Sequence, residues 1–183
     1  PITVGSAPFY MIAKGDRLYV VNTPNVIVST DPTTISVIDT TTNQLVDADQ
    51  STPDVIDPIV VPNAPGGLRT QPAGIVSSGD RIFIANTILA NGNGMNPSTI
   101  TVIDTENNTV LDPIQLDGNP TSIAVQGDRL YVSQFGGKVA VISIEEGEDY
   151  GTVIEEEVID TGITSQVYYV AVHGDTLYVS EPN

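Results

Sequence analysis

The chain has 183 residues, and its 23 acidic residues against 6 Lys and Arg give a formal net charge of −17. Such a surface repels phosphate, which argues against nucleic acid as a partner, and no apolar run approaches the roughly 20 residues that cross a bilayer, so no membrane insertion is expected. There is no cysteine and His173 is the single histidine, so disulfides, thiolate chemistry and multi-histidine metal centres within this chain are excluded.

Val, Ile and Thr number 63, about a third of the chain, and the apolar fraction of 40% is enough for a packed core. In chain order, residues 1–5 are predicted to form the final strand of a preceding repeat. The first repeat, residues 8–61, opens with an apolar strand, Phe9-Tyr10-Met11-Ile12. Gly15-Asp16 then turns the chain, the glycine supplying a positive φ. Arg17-Leu18-Tyr19-Val20 is a second strand, and a long connection from Thr23 to Thr33 leads to a third, Thr34 to Asp39. Asp39 to Asn43 is a turn-forming cluster, because Asp and Asn accept backbone bonds and tolerate the left-handed region. An acidic excursion from Asp47 to Asp57 precedes the fourth strand, Pro58-Ile59-Val60-Val61.

The same order recurs. In residues 72–116 the strands are Gly74 to Ser77, Arg81 to Ile84, Thr99 to Asp104 and Pro113 to Leu116, with an extended connection from Thr87 to Ser98. In residues 120–160 they are Ser122 to Val125, Arg129 to Val132, Lys138 to Ser143 and Glu157 to Asp160. A fourth, incomplete copy over residues 167–183 carries only the first two, Tyr168 to Ala171 and Leu177 to Val179. The expectation is a single repeat region over residues 1–183, fifteen strands in all.

Spacing identifies the unit. The phrase Gly-Asp-Arg-Leu-Tyr-Val begins at Gly15 and recurs, with small changes, at Gly79, Gly127 and Gly174, at intervals of 64, 48 and 47 residues. Pro8, Pro72 and Pro120 each stand seven residues before the glycine, where the fourth copy has Val167. Periods of this size belong to propeller blades. The second strand ends in Tyr-Val-x-Asn (Tyr19 to Asn22, with Phe83 to Asn86 as a variant), and a Val-Ile-Asp-Thr strand and an Asn-bearing turn follow. These residues resemble the YVTN family of β-propeller repeats, with Gln134 and Glu181 departing from the terminal asparagine. The resemblance implies an all-β propeller of four-stranded antiparallel blades, about three and a half of them in this chain. Propellers close into rings to avoid exposed ends. Other protein segments or subunits are therefore expected to complete the terminal blades.

The fold does not decide the chemistry, because propellers host enzymes and binding modules alike. The long connections after the second and fourth strands emerge on one face, which makes Asn25, Asp31, Asn91, Asn93, Asn96 and Arg69 candidate interaction residues. Asp47, Asp49, Asp54 and Asp57 bring oxygen ligands suited to calcium into one excursion, without the spacing of an EF-hand loop; the bland reading is a set of solvated surface acids. No other cofactor is expected. The repeated Asp16, Asp80, Asp128 and Asp175 read as turn formers, Asn22 and Asn86 as bonds to turn backbone, and Arg17, Arg81 and Arg129 as partners of neighbouring blades. The first strands bring no carboxylate or histidine toward a central channel. The function expected is therefore non-enzymatic: protein–protein interaction or surface and filament assembly, outside the cell or on its surface. The alternatives are part of a propeller enzyme of lactonase-like or quinoprotein-like kind, or a carbohydrate- or cation-binding adhesive module.

Overall fold

A computed structural model describes residues 1–24, 31–48, 52, 55–63, 70–88, 98–148, 150–154, 158–162 and 167–181. Among the described residues the regular structure is entirely β. The first sheet holds β1 (Pro8–Lys14), β2 (Arg17–Asn22), β3 (Thr34–Asp39), β4 (Gln44–Val46) and β5 (Ile59–Val60). The second holds β6 (Thr70–Ser78), β7 (Arg81–Ile88), β8 (Ser98–Asp104) and β9 (Thr109–Leu116). The third holds β10 (Pro120–Gln126), β11 (Arg129–Gln134), β12 (Lys138–Ser143) and β13 (Ile159–Asp160); a fourth pairs β14 (Tyr169–His173) with β15 (Thr176–Ser180). Every pairing is antiparallel between chain neighbours, except that β5 joins β3 beside β4. The first strands lie side by side: β6 packs against both β1 and β10, and β10 against β14.

The repeated residues explain this geometry. Each two-residue turn places a glycine at φ 51–55° and an aspartate outside the positive-φ region, the pattern of a type II′ hairpin, so Lys14 faces Arg17 and Ser78 faces Arg81. The recurrent proline is the first residue of β1 and β10 and the third of β6, and in all three complete sheets the register slips just after it, between Pro8 and Tyr10, Pro72 and Gly74, and Pro120 and Ser122. A residue without an N–H is tolerated where a bulge interrupts the ladder, so the proline and the bulge go together. On the turn side, the residue after the third strand donates its N–H to the carbonyl of the hairpin aspartate: Thr40 to Asp16 at 2.8 Å, Thr105 to Asp80 at 2.9 Å and Ile144 to Asp128 at 2.8 Å.

Cores form between sheets. Tyr19, Val21, Ile35 and Val37 of the first meet Ile82, Ile84 and Ile103 of the second. Phe83, Ile100, Val102 and Leu116 then meet Ile123, Leu130 and Ile142 of the third. A smaller cluster of Ala124, Val139 and Val170 joins the third sheet to the fourth. Middle strands such as β8 are covered on both faces, so their sequences are continuously apolar or Thr-rich without alternation.

Two expected strands take a different form. The outer strand of the first sheet is split: β4 and β5 both pair with β3, on either side of the excursion. Residues 1–5 form no ladder among the described residues. Gly5 donates its N–H to Ser36 Oγ at 3.3 Å and lies against Asn22, as Gly118 lies against Gln134. Since Thr23 bonds the Ala7 carbonyl as Phe135 bonds that of Asn119, both at 3.0 Å, the N-terminal segment occupies the place beside the first sheet that the end of β9 takes beside the third. Fifteen strands are present among the described residues. The expected number is met by the split outer strand, in place of the N-terminal one.

Candidate interaction surfaces

Contacts between sheets use the repeated polar side chains. Arg17 Nη1 donates to Asn108 Oδ1 at 3.2 Å, across to the third–fourth strand turn of the next sheet. Tyr19 donates its hydroxyl to the same oxygen at 3.2 Å, and burial raises its pKa, with the nearby Arg17 opposing the rise. One sheet further on, Arg81 pairs with Glu146 at 2.7 Å and lies 4.5 Å above the ring centre of Tyr150. Both arginines reach forward to the following sheet, as their recurrence predicts. Sequence reading missed their acceptors, although Asn108 had a signal: it ends the Asn-bearing turn at φ 55°, as Asn43 does at 57°.

The polar candidates at the strand ends are structural. Asn22 and Asn86 are fully buried, and their amide nitrogens donate to Ser36 Oγ at 3.0 Å and Thr101 Oγ1 at 2.8 Å. Their partners are third-strand hydroxyls, with the Ile84 carbonyl added for Asn86 at 3.1 Å, where turn backbone had been expected. Asp39 accepts the hydroxyl and N–H of Thr41 and the N–H of Thr42, and these bonds hold its carboxyl at a pKa of about 2. Asp104 is lowered in the same way, first by the Asn107 side chain and then by the Glu106 N–H.

Of the four excursion acids, Asp47 and Asp57 are described and Asp49 and Asp54 lie outside the described residues. Asp57 donates its N–H to Asp47 Oδ1 at 3.1 Å and accepts the Thr52 hydroxyl, so both acids close the excursion on itself. Asn25, Asn91, Asn93, Asn96 and Arg69 likewise lie outside the described residues; Asp31 is exposed at the end of the first long connection. A cleft of about 580 Å³ opens between the second and third sheets, lined among others by Asp80, Asp104, Glu106, Glu145 and Glu146 around Arg81. Among the described residues no three acidic or histidine side chains converge closely enough to hold a metal ion.

The apolar surface is uneven. Phe9 is 58% and Met11 64% exposed on the outward face of β1, while Tyr10 and Ile12 turn inward against the second sheet. On the last sheet Tyr169 is 67% and Tyr178 57% exposed, whereas Val170, Val172 and Leu177 pack toward the third. Tyr178 holds the repeat position of Tyr19 and Phe83, each only 1% exposed. Burial raises the pKa of Tyr10, whose hydroxyl bonds the Ala73 carbonyl, and the Tyr169 phenol adds a smaller rise.

No family model matches the chain, and neither does any curated protein sequence. Solved structures do. The chain is similar to a structure from a nidogen–laminin complex at 9% identity and a TM-score of 0.54, covering 90% of this chain and 51% of that one. It is also similar to BamB from Moraxella catarrhalis at 12% identity and a TM-score of 0.50, covering 92% of this chain and 38% of that one. Both are β-propellers, and the fold here is that of a β-propeller built from four-stranded antiparallel blades. This chain spans about half the length of the first structure and less of the second.

Proposed function

We propose that this chain is a YVTN-type propeller segment with a non-enzymatic role, binding other proteins through the apolar faces of its terminal blades, outside the cell or on its surface. The observation that carries the reading is the exposure of Tyr169 and Tyr178 at one end and of Phe9 and Met11 at the other. Inside the molecule such blade faces are covered by the next blade, and aromatic side chains in a contiguous exposed patch are the residues that anchor protein interfaces. The nidogen–laminin structure supports it at the level of fold, as a propeller crystallised in a complex of two proteins. The charge of −17 opposes close approach of like chains, so partners with basic surfaces or screening cations favour assembly.

Sedimentation velocity of the 183-residue chain tests this, run across concentration at low and high salt beside a Tyr169→Ser/Tyr178→Ser variant. Salt-promoted association that the variant weakens is expected. A stable monomer at every concentration and salt, with protected terminal strands, would overturn the reading.

A further inference from the structure

The turn between β8 and β9 carries an inference that rests on the placement outside the cell proposed above. Residues 107–109 read Asn-Asn-Thr, an asparagine two positions before a threonine, which is the acceptor pattern for an N-linked sugar. Asn96 and Asn119 also stand two positions before a hydroxyl residue, Ser98 and Thr121, but the residue between is proline, which the pattern forbids.

The fold accounts for only one of these three residues. The first blade has the same hairpin, with Asp39, Thr42, Asn43 and Gln44 in the places of Asp104, Asn107, Asn108 and Thr109. Asn43 and Asn108 both take a positive φ, 57° and 55°, which asparagine tolerates better than most residues. Asn108 Oδ1 also accepts the Arg17 guanidinium and the Tyr19 hydroxyl, each at 3.2 Å. Position 107 has no such duty. The aspartate that opens the turn receives the main-chain N–H of Thr42 in one blade and of Asn107 in the other, at 2.9 and 3.3 Å, so threonine serves the turn as well as asparagine. Likewise β9 starts with the exposed Thr109 where β4 starts with the exposed Gln44. Asn107 is itself exposed, and its amide nitrogen donates to Asp104 Oδ2 at 2.9 Å. A side-chain amide has two N–H groups, so that bond uses one and leaves one.

We propose that Asn107 is a site of N-linked glycosylation. Its Nδ2 supplies the electron pair that forms a bond to the anomeric carbon of a sugar chain carried on a lipid phosphate. The bond from that carbon to the phosphate oxygen breaks, the lipid phosphate leaves with the electron pair, and the displaced N–H proton passes to a base of the transferase. The remaining N–H keeps the bond to Asp104, and the exposed Thr109 hydroxyl is open to the transferase that reads it. The sugar projects from the second sheet, whereas the faces proposed to bind partners lie on the first and fourth.

The test takes protein from the surface or medium of the cells that make it. Trypsin releases residues 82–129 as one peptide, and electron-transfer fragmentation locates any added mass within it. The expected peptide is heavier by a sugar chain less one water, with the mass on Asn107. Thr109→Ala is expected to lose that mass and Thr109→Ser to retain it. Asn107→Thr, which copies the turn of the first blade, is expected to lose it with the circular dichroism spectrum unchanged. Added mass that persists in Thr109→Ala, or an unmodified peptide as the sole form from protein at the surface, overturns the proposal and leaves the placement standing. Protein found only inside the cell, and unmodified there, overturns both.

Discussion

Replacing Gly74 with alanine measures how closely the inner strands of the second and third blades approach. Gly74 is buried on β6, and a Cβ there would lie 2.9 Å from Ile123 Cγ2 and 3.2 Å from the Ile123 backbone nitrogen on β10. Cγ2 branches directly from the Ile123 Cβ, so it has little freedom to move aside. The φ of Gly74 is not positive, so the strain is one of space and not of backbone conformation. Overpacking of this kind costs about 1–3 kcal/mol. Ile123→Ala removes Cγ2 from a side chain that is 6% exposed in the core between these blades, and alone should cost about 2–5 kcal/mol. The double variant should then be less destabilised than the sum of the singles by about 1 kcal/mol or more. Gly15→Ala is the control: its φ is +55° with nothing within 4 Å, so its cost is conformational, about 1–2 kcal/mol, and additive with Ile123→Ala. Urea unfolding with unchanged m-values gives all these energies. Additivity of Gly74→Ala and Ile123→Ala to within about 0.5 kcal/mol would refute the close approach.

The Asp39 carboxyl, held at a pKa of about 2 below its ordinary 3.8, stabilises the fold above about pH 4 and loses that contribution as pH falls through its folded value. Thermal unfolding should therefore show Asp39→Ala less stable than the parent at pH 6, the gap closing toward pH 2; a gap constant over that range contradicts the linkage. Arg81→Ala removes both the Tyr150 ring contact and the ion pair with exposed Glu146, and should cost about 1 kcal/mol, against less than about 0.5 kcal/mol for Glu146→Gln. Equal costs for the two variants, in urea unfolding at low and high salt, would show that the ring contact contributes nothing. Deleting residues 47–56 joins Val46 to Asp57-Pro58-Ile59, reproducing the Leu111-Asp112-Pro113-Ile114 pattern of β9, and should leave the fold and its melting temperature nearly unchanged. Calcium is expected to shift neither protein; a rise in the parent alone would make the excursion acids its ligands.

The blades were legible because their signals are local. A glycine that must take positive φ, a proline that suits a bulge and a run of β-branched residues each constrain a few neighbouring positions, and the four-fold recurrence multiplies their weight. The forward reach of Arg17 and Arg81 followed from recurrence too, because a residue repeated in successive blades faces the following blade each time. The acceptors are one blade away and differ in kind, an asparagine in one case and a glutamate with a tyrosine ring in the other, so nothing near the arginine in sequence points to them. The exposed face of β1 escaped for a related reason. Phe9 and Met11 alternate with Tyr10 and Ile12, and a strand apolar on both sides reads as buried on both unless the next layer is known.

The split outer strand shows where this fold admits change. In the second blade Asp112 and Pro113 bulge opposite Thr101, between the pairs Val102↔Leu111 and Ile100↔Ile114. In the first blade the equivalent pairs Val37↔Val46 and Ile35↔Ile59 enclose residues 47–58 opposite Ser36. The third blade interrupts its outer strand near the same place, between the bridge Ile142↔Val153 and the pair Val139↔Ile159. An insertion in either middle strand would break ladders on both edges, whereas the outer strand has one edge free and its bulge already lacks a partner. Lengthening such a loop costs only about 0.6 kcal/mol per doubling. Acidic residues gather on this side, the half-buried Asp47 and Asp57 closing the insertion of the first blade and the exposed Glu145 and Glu146 standing in the hairpin of the third. Under the function proposed above, the charge on the rim would steer partners and the apolar surface of Tyr169 and Tyr178 would hold them. Changes at the bulges should alter the approach and salt dependence of binding, and changes at Tyr169 and Tyr178 its lifetime.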